Sequence, residues 1–241
     1  MTFDQAEFDI RCEWGLPGVL NLAPISDAII IVDVLSFSTC VSVALTRGAK
    51  IYPFRTRGAA AVEYAKSLQA EISQSRGKGG YSLSPCSMMT IPTGTKVVLP
   101  SPNGASLTLS TGDAPTFTGC LRNAKAVAQA ALQFGNRITL IPAGERWHGD
   151  GSIRHALEDY IGAGAILQHL PGVFSPEAEA ARAVYNNCCN DLLETLARCS
   201  SGKELIDGGF EKDIEASAVE DCDNFAPLLQ NGCFVPAAIA D

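Results

Sequence analysis

Positive charge is scarce in this chain: 18 lysines and arginines stand against 26 aspartates and glutamates, for a net charge of −8. Binding nucleic acid takes a basic patch that displaces counterions from phosphates, so no nucleic-acid partner is expected. Long apolar runs are missing too, and none of the short ones would cross a bilayer, so no membrane span is expected. The opening MTFDQAEFD is acidic and lacks a basic segment followed by an apolar one. No secretory leader is therefore expected, and the cytoplasm is the expected location. Histidine occurs 3 times, at His148, His155 and His169, with no shared ligand spacing. The 9 cysteines include no C-x-x-C pair, and Cys188 and Cys189 are adjacent, which fits reduced thiols better than a disulfide framework or a zinc site.

Several catalytic signatures are absent as well. There is no G-x-S-x-G elbow, no P-loop and no H-E-x-x-H. Cys40 and Arg47 are one residue too far apart for a cysteine-phosphatase loop, and Leu35 stands where a haloacid dehalogenase-type phosphatase would carry its second aspartate. Oxygen ligands are what remain, and they suit Mg²⁺.

What is present is organised around Ala28 to Thr39, AIIIVDVLSFST. Ala28 to Val32 reads as a strand buried on both faces, with Asp33 at its carboxyl end. Ser36, Ser38 and Thr39 stand where the next helix, expected from Cys40 to Arg47, begins with unpaired N–H groups that attract anions. Asp33 either caps that helix or helps to hold a metal beside a phosphate, and the stretch alone leaves both open. Strands are expected at Phe8–Glu13, broken by Gly15, Pro17 and Gly18, and at Lys50–Phe54, Thr95–Leu99, Thr116–Gly119 and Arg137–Ile141. Helices are expected at Thr56–Ala70, Ala124–Phe134, Ile153–Leu170 and Pro176–Leu196. This alternation predicts an α/β fold: a three-layer α/β/α arrangement with a largely parallel or mixed sheet. Residues 1–241 form one domain in this reading, with two packed lobes dividing near 168–175 as the variant.

Polar turns follow the expected strands at Ser101, Asn103 and Gly104, at Arg122 and Asn123, and in PAGERWHGDGS, which holds Arg146. They are expected to converge on one rim. Glu71–Pro92 lacks a period and reads as a solvated loop to which Arg76 and Lys78 give positive charge. Glu158 and Asp159 precede the small run Gly162 to Ala165, which permits close approach of another backbone. The acidic tail, including Asp207, Glu211, Asp213, Glu215, Glu220 and Asp221, reads as a mostly solvated face.

Taken in order, VDVLSFST (Val32–Thr39), SLSPCSM (Ser82–Met88), LPSPNGAS (Leu99–Ser106), TGCLRNAKAVA (Thr118–Ala128), and IPAGERW with ALEDYIGAGAI (between Ile141 and Ile166) resemble the 2-phosphosulfolactate phosphatase (ComB-like) family over nearly the full length. The ending from Gly202 to Ala237 is similar to the family's as well. The resemblance implies a Mg²⁺-dependent phosphatase that converts 2-phospho-3-sulfolactate to 3-sulfolactate and phosphate, a step associated with coenzyme M biosynthesis. It implies Asp33, Glu158 and Asp159 as acidic metal positions and Ser101, Asn103, Gly104 and Asn123 as phosphate-side positions. Asp33, Glu158 and Arg122 are the catalytic candidates, with Asp33 either metal ligand or nucleophile. Ser36, Ser38, Thr39, Arg76 and Arg146 complete the substrate-binding candidates. Ser36 stands where many members carry arginine, and Leu83-Ser84-Pro85 where many carry an N-S-P-like element. Arg76, Arg122 or Arg146 would then supply the missing guanidinium, or the substrate is another small anionic phosphate ester. A non-catalytic module that binds a phosphorylated metabolite is the alternative from another class, and a homodimer is compatible with the apolar content.

Overall fold

The computed structural model describes residues 3–237. In chain order the strands are β1 Ile10–Cys12, β2 Ala28–Val32, β3 Lys50–Phe54, β4 Glu71–Ile72, β5 Lys96–Pro100, β6 Thr116–Gly119, β7 Ile138–Pro142, β8 Glu145–Arg146, β9 Ile153–Arg154, β10 Ala226–Gln230 and β11 Cys233–Ala237. The helices are α1 Gly15–Leu22, α2 Phe37–Thr46, α3 Ala59–Leu68, α4 Pro85–Met88, α5 Gly104–Thr108, α6 Ala124–Ala131, α7 Leu157–Leu167, α8 Pro176–Cys188, α9 Leu192–Arg198, α10 Ser200–Asp207 and α11 Glu211–Ser217. A 9-stranded sheet in the order β1-β7-β2-β6-β10-β11-β3-β5-β4 carries helices on both faces, giving the expected α/β/α layers.

Strand β2 shows why the layers form. Every residue of AIIIV is buried, and successive side chains point to opposite faces. Ala28, Ile30 and Val32 join a cluster with Val127 of α6 and Ile161 and Ile166 of α7. Ile29 and Ile31 join one on the other side with Val19 of α1 and Leu107 of α5. Each buried isoleucine contributes roughly 1.5–3 kcal/mol.

The sheet is two parallel sets joined by a hairpin. β1, β7, β2 and β6 are parallel, as are β3, β5 and β4. β10 and β11 pair antiparallel with each other, β10 with β6 and β11 with β3. In a flat sheet the carboxyl ends of β2 and β5 would lie on opposite edges and roughly 24 Å apart sideways, at about 4.8 Å per strand. Instead the Gly104 N–H at the end of the β5 turn donates to Asp33 Oδ2 at 2.9 Å. Twist of about 20–25° per strand turns the second set across the first, and the buried helix α2 packs against β6, β10, β11 and β3 in the resulting hollow.

Some local expectations are corrected. Gly15 to Gly18 open helix α1 rather than merely breaking the chain, with Pro17 within its first turn, where a missing N–H costs nothing. The helix expected from Ile153 starts at Leu157, because Ile153 and Arg154 pair with Arg146 and Glu145 as a small hairpin. The helix expected over Pro176–Leu196 is two, α8 and α9. The Glu71–Pro92 segment contains β4 and α4 and is docked rather than free: Ser84 Oγ donates to Asp213 Oδ1 at 2.6 Å. Asp213 is thereby buried, not part of a solvated face. The small run of α7 does admit a close neighbour, since a Cβ at Gly164 would overlap the Ala181 carbonyl of α8.

Candidate active site

Asp33 lies just past the carboxyl end of β2, 7 % exposed. Its Oδ1 accepts the Phe37 N–H at 3.0 Å and its Oδ2 the Gly104 N–H at 2.9 Å. A side chain at Gly104 would run into Phe37 and Asp33, so glycine is what lets the β5 turn approach. Asp159, at the start of α7, is held in the same way: Oδ1 accepts Val34 N–H at 2.8 Å and Oδ2 accepts Gly144 N–H at 2.9 Å. Glu158 beside it is 3 % exposed, and its Oε2 has no hydrogen-bond partner among the described residues. Glu145, after β7, accepts from Asn103 Nδ2 at 2.9 Å through Oε1.

No lysine, arginine or histidine forms an ion pair with these carboxylates among the described residues. The electrostatic result is plain. Burial pushes the Asp33 carboxyl up to about 6, the Glu145 and Glu158 charges add to that, and the two backbone donors oppose it. Burial, with Asp33 and Glu158 alongside, holds Asp159 well above the usual carboxylate range. Burial and the Glu158 charge push the neighbouring Cys199 thiol up to about 12. A cluster of this kind takes up protons or a cation.

A cleft of about 410 Å³ opens beside the cluster, with Glu145, Leu35, Arg57, Arg76, Ser201 and Phe210 in its wall. Arg76 Nη2 donates to Ser36 Oγ at 2.7 Å. Arg154, on β9, donates to Ser201 Oγ at 2.9 Å. Arg57 and Arg76 share the cleft wall with Glu145 and Glu204, a mixture that suits an anionic ligand bringing a cation with it.

The model of a family described as 2-phosphosulpholactate phosphatase matches residues 17–232. The chain belongs to the 2-phosphosulpholactate phosphatase family. A relative from Carboxydothermus hydrogenoformans, named "Probable 2-phosphosulfolactate phosphatase", is 31% identical over 79% of this chain and 81% of its own length. One from Gloeobacter violaceus with the same name is 30% identical over 81% of this chain and 85% of its own. A protein of Methanothermobacter thermautotrophicus named "2-phosphosulfolactate phosphatase" is 27% identical over 84% and 87%.

Within this family member the structure brings together Asp33, Glu158, Asp159, Gly104, Asn103, Ser36 and Arg76 of the sequence candidates. Others lie elsewhere. Arg122 is not at the cluster: Nε and Nη2 grip Asp223 at 2.8 and 2.9 Å, and Nη1 donates to the Ala216 carbonyl at 2.8 Å. Ser38 and Thr39 are fully buried and brace the β2–α2 turn, Ser38 accepting from Asp33 N–H at 2.9 Å and Thr39 donating to Val34 O at 2.7 Å. Asn123 is buried and accepts from Cys120 N–H at 2.9 Å, closing its own turn, so the β6 turn does not join the rim. Ser101 is buried behind it, its carbonyl accepting from Ser106. Arg146 points along the hairpin to the Gly151 carbonyl at 3.0 Å and lines a neighbouring hollow. Asp159 stays beside Asp33 and Glu158 in the cluster, each of its oxygens accepting one backbone N–H as those of Asp33 do. Of the arginines able to stand in for the one replaced by Ser36, the structure brings Arg76 to that place.

Glu145 and Arg57 were legible but unassigned. Each follows the carboxyl end of a strand by a few residues, as Asp33 and Asn103 do. Asp213 and Ser201 carry no local signal.

Proposed function

We propose that this chain is a phosphoric monoester hydrolase acting on 2-phospho-3-sulfolactate, with Mg²⁺ as cofactor, in the sulfonate metabolism that leads to coenzyme M. The observation that carries this reading is a buried cluster of carboxylates without a cation of its own, opening on an arginine-lined cleft, in a chain of this family. Relatives named for that activity support the choice of substrate. The donors fit a hard cation: they are oxygens, and Glu158 Oε2 is buried without a hydrogen-bond partner among the described residues. Among the described residues no group of three His, Cys, Asp or Glu forms a ready cage, which suits Mg²⁺, an ion that keeps several waters and uses one or two carboxylates. Asp33 and Glu158 would hold it, and when bound it supplies neutralising charge to the phosphoryl oxygens.

The remaining steps belong to the chain. Gly104 and Phe37 fix the Asp33 carboxylate, and Asp159 ties the β2 and β7 turns, with Glu145 and Glu158 near enough for their charges to act on Asp33. Glu145, open to the cleft, is placed to take a proton from an attacking water. Arg76 offsets negative charge on the substrate. A substrate carrying this many negative charges does not cross membranes unaided, so the cytoplasm is where we place the reaction.

Phosphate release from 2-phosphosulfolactate and a panel of small phosphate esters, with Mg²⁺ and with EDTA, tests the reading. Metal-dependent release that prefers the sulfonated ester is expected. Saturable binding of the ester by a folded, Mg²⁺-loaded protein without release would instead make this a binding module. Rapid-quench trapping of an acylphosphate would assign Asp33 as nucleophile, and its absence would assign direct attack by water.

A further inference from the structure

Arg76 is mounted more elaborately than a surface arginine. Its Nη2 reaches back to Ser36 at the start of α2, its Nε lies 3.4 Å from Asp213 Oδ2, and the Phe210 ring lies 5.9 Å from the guanidinium carbon. Asp213 sits on α11 with its side chain 2% exposed. Its other oxygen accepts from Ser84 Oγ at 2.6 Å and from the Cys86 N–H at 3.2 Å. One carboxylate therefore joins Arg76, on the first limb of the 73–88 loop, to Ser84 and Cys86 on the second. Arg57 supports the same loop from below, donating to the Ser73 and Gln74 carbonyls at 3.4 and 3.1 Å. Among the described residues, Arg76 Nη1 has no acceptor, and the residue lines the cleft. A guanidinium with one edge anchored and the other free is already oriented to grip an oxyanion, which lowers the ordering cost of binding.

We propose that Asp213 is the positioning residue for Arg76, and that Arg76 in this mounting binds a tetrahedral oxyanion of the substrate, phosphoryl or sulfonate, in the cleft. This rests on the phosphatase reading of the same site. A residue that acts through Arg76 has a kinetic signature that general support of the loop lacks. Removing it weakens ground-state binding of the anion, and once Arg76 is gone its loss has no further effect.

The test is steady-state kinetics of the wild type, Arg76→Ala, Asp213→Asn and the double variant in Mg²⁺, with melting curves for each. The substrates are 2-phosphosulfolactate and 2-phospholactate, which lacks the sulfonate. We expect Asp213→Asn to raise KM about tenfold while kcat moves less than about threefold, as for loss of the ion pair that orients Arg76. The double variant should be no worse than Arg76→Ala. A KM effect confined to the sulfonated ester assigns the sulfonate to Arg76, and one shared by both esters assigns the phosphoryl group. An unchanged KM in Asp213→Asn, or additive losses in the double variant, would overturn the proposal. If the wild type hydrolyses neither ester, the phosphatase reading fails on its own. Thermal shifts with inorganic phosphate and methanesulfonate then decide: a shift lost equally in Asp213→Asn and Arg76→Ala supports the mounting, and a shift retained in either, or none in the wild type, overturns it.

Discussion

Asp33 and Asp223 are both buried, yet their surroundings are opposite. Asp223 takes both arms of Arg122 and the Ser42 hydroxyl at 2.9 Å. Asp33 takes two backbone N–H groups, and its charged neighbours are carboxylates. A buried carboxylate left without a positive partner costs several kcal/mol. Where the chain provides that partner, the aspartate is part of the framework; where it does not, the charge has to come from a proton or a bound ion. Arg122, an attractive catalytic candidate in sequence, belongs to the framework on this criterion.

The sharpest break of the contrast is in activity. Asp33→Asn should lower kcat on the order of 10³-fold or more, as expected for loss of a central catalytic group, while the melting temperature changes little, because relief of the buried charge offsets an amide N–H set against a backbone donor. Arg122→Ala should do the reverse. Leaving Asp223 buried and unpaired is expected to cost about 3–5 kcal/mol, a loss of about 10 °C or more in melting temperature, with kcat of the folded fraction near that of the wild type. Protons give the next contrast. Burial pushes the Asp33 carboxyl up to about 6 in the folded protein, against about 3.9 for an unperturbed aspartate. The folded state thus holds that proton more tightly, and its stabilising contribution is complete below about pH 4 and lost as the pH rises through about 6. Melting curves of metal-free wild type and Asp33→Asn between pH 4.5 and 7.5 should therefore diverge, with the wild type losing more, and Mg²⁺ should close the gap at the upper end. The smallest effect is Ser42→Ala, expected to cost about 1 kcal/mol through Asp223 with no change in KM.

Much of this was readable in the chain. AIIIV fixes β2 by its unbroken apolar run, and Asp33 follows from where that run ends. Glu158 stands out in the chain by its place before the small-residue run, and it is buried in the first turn of α7, whose start the hairpin of β8 and β9 delays until Leu157. Asp213 was misread because α11 is short and its polar neighbours differ little from those of a solvated helix. What buries it is Arg76 and Ser84, more than a hundred positions away, a contact that no local period encodes. The β10–β11 hairpin was missed although it had a signal: Asn231 and Gly232 both adopt positive φ between two apolar groups, the pair that a tight two-residue turn favours.

That hairpin has a consequence for how the protein is made. β10 and β11 fill the gap between β6 and β3, so until they have been made and docked each of those strands presents an open edge able to recruit a strand from a neighbouring chain. The two strands of the hairpin act as a seal. A chain stopped at Phe225 would contain every residue of the carboxylate cluster, yet it should sediment as aggregate where the longer chain stays in the supernatant.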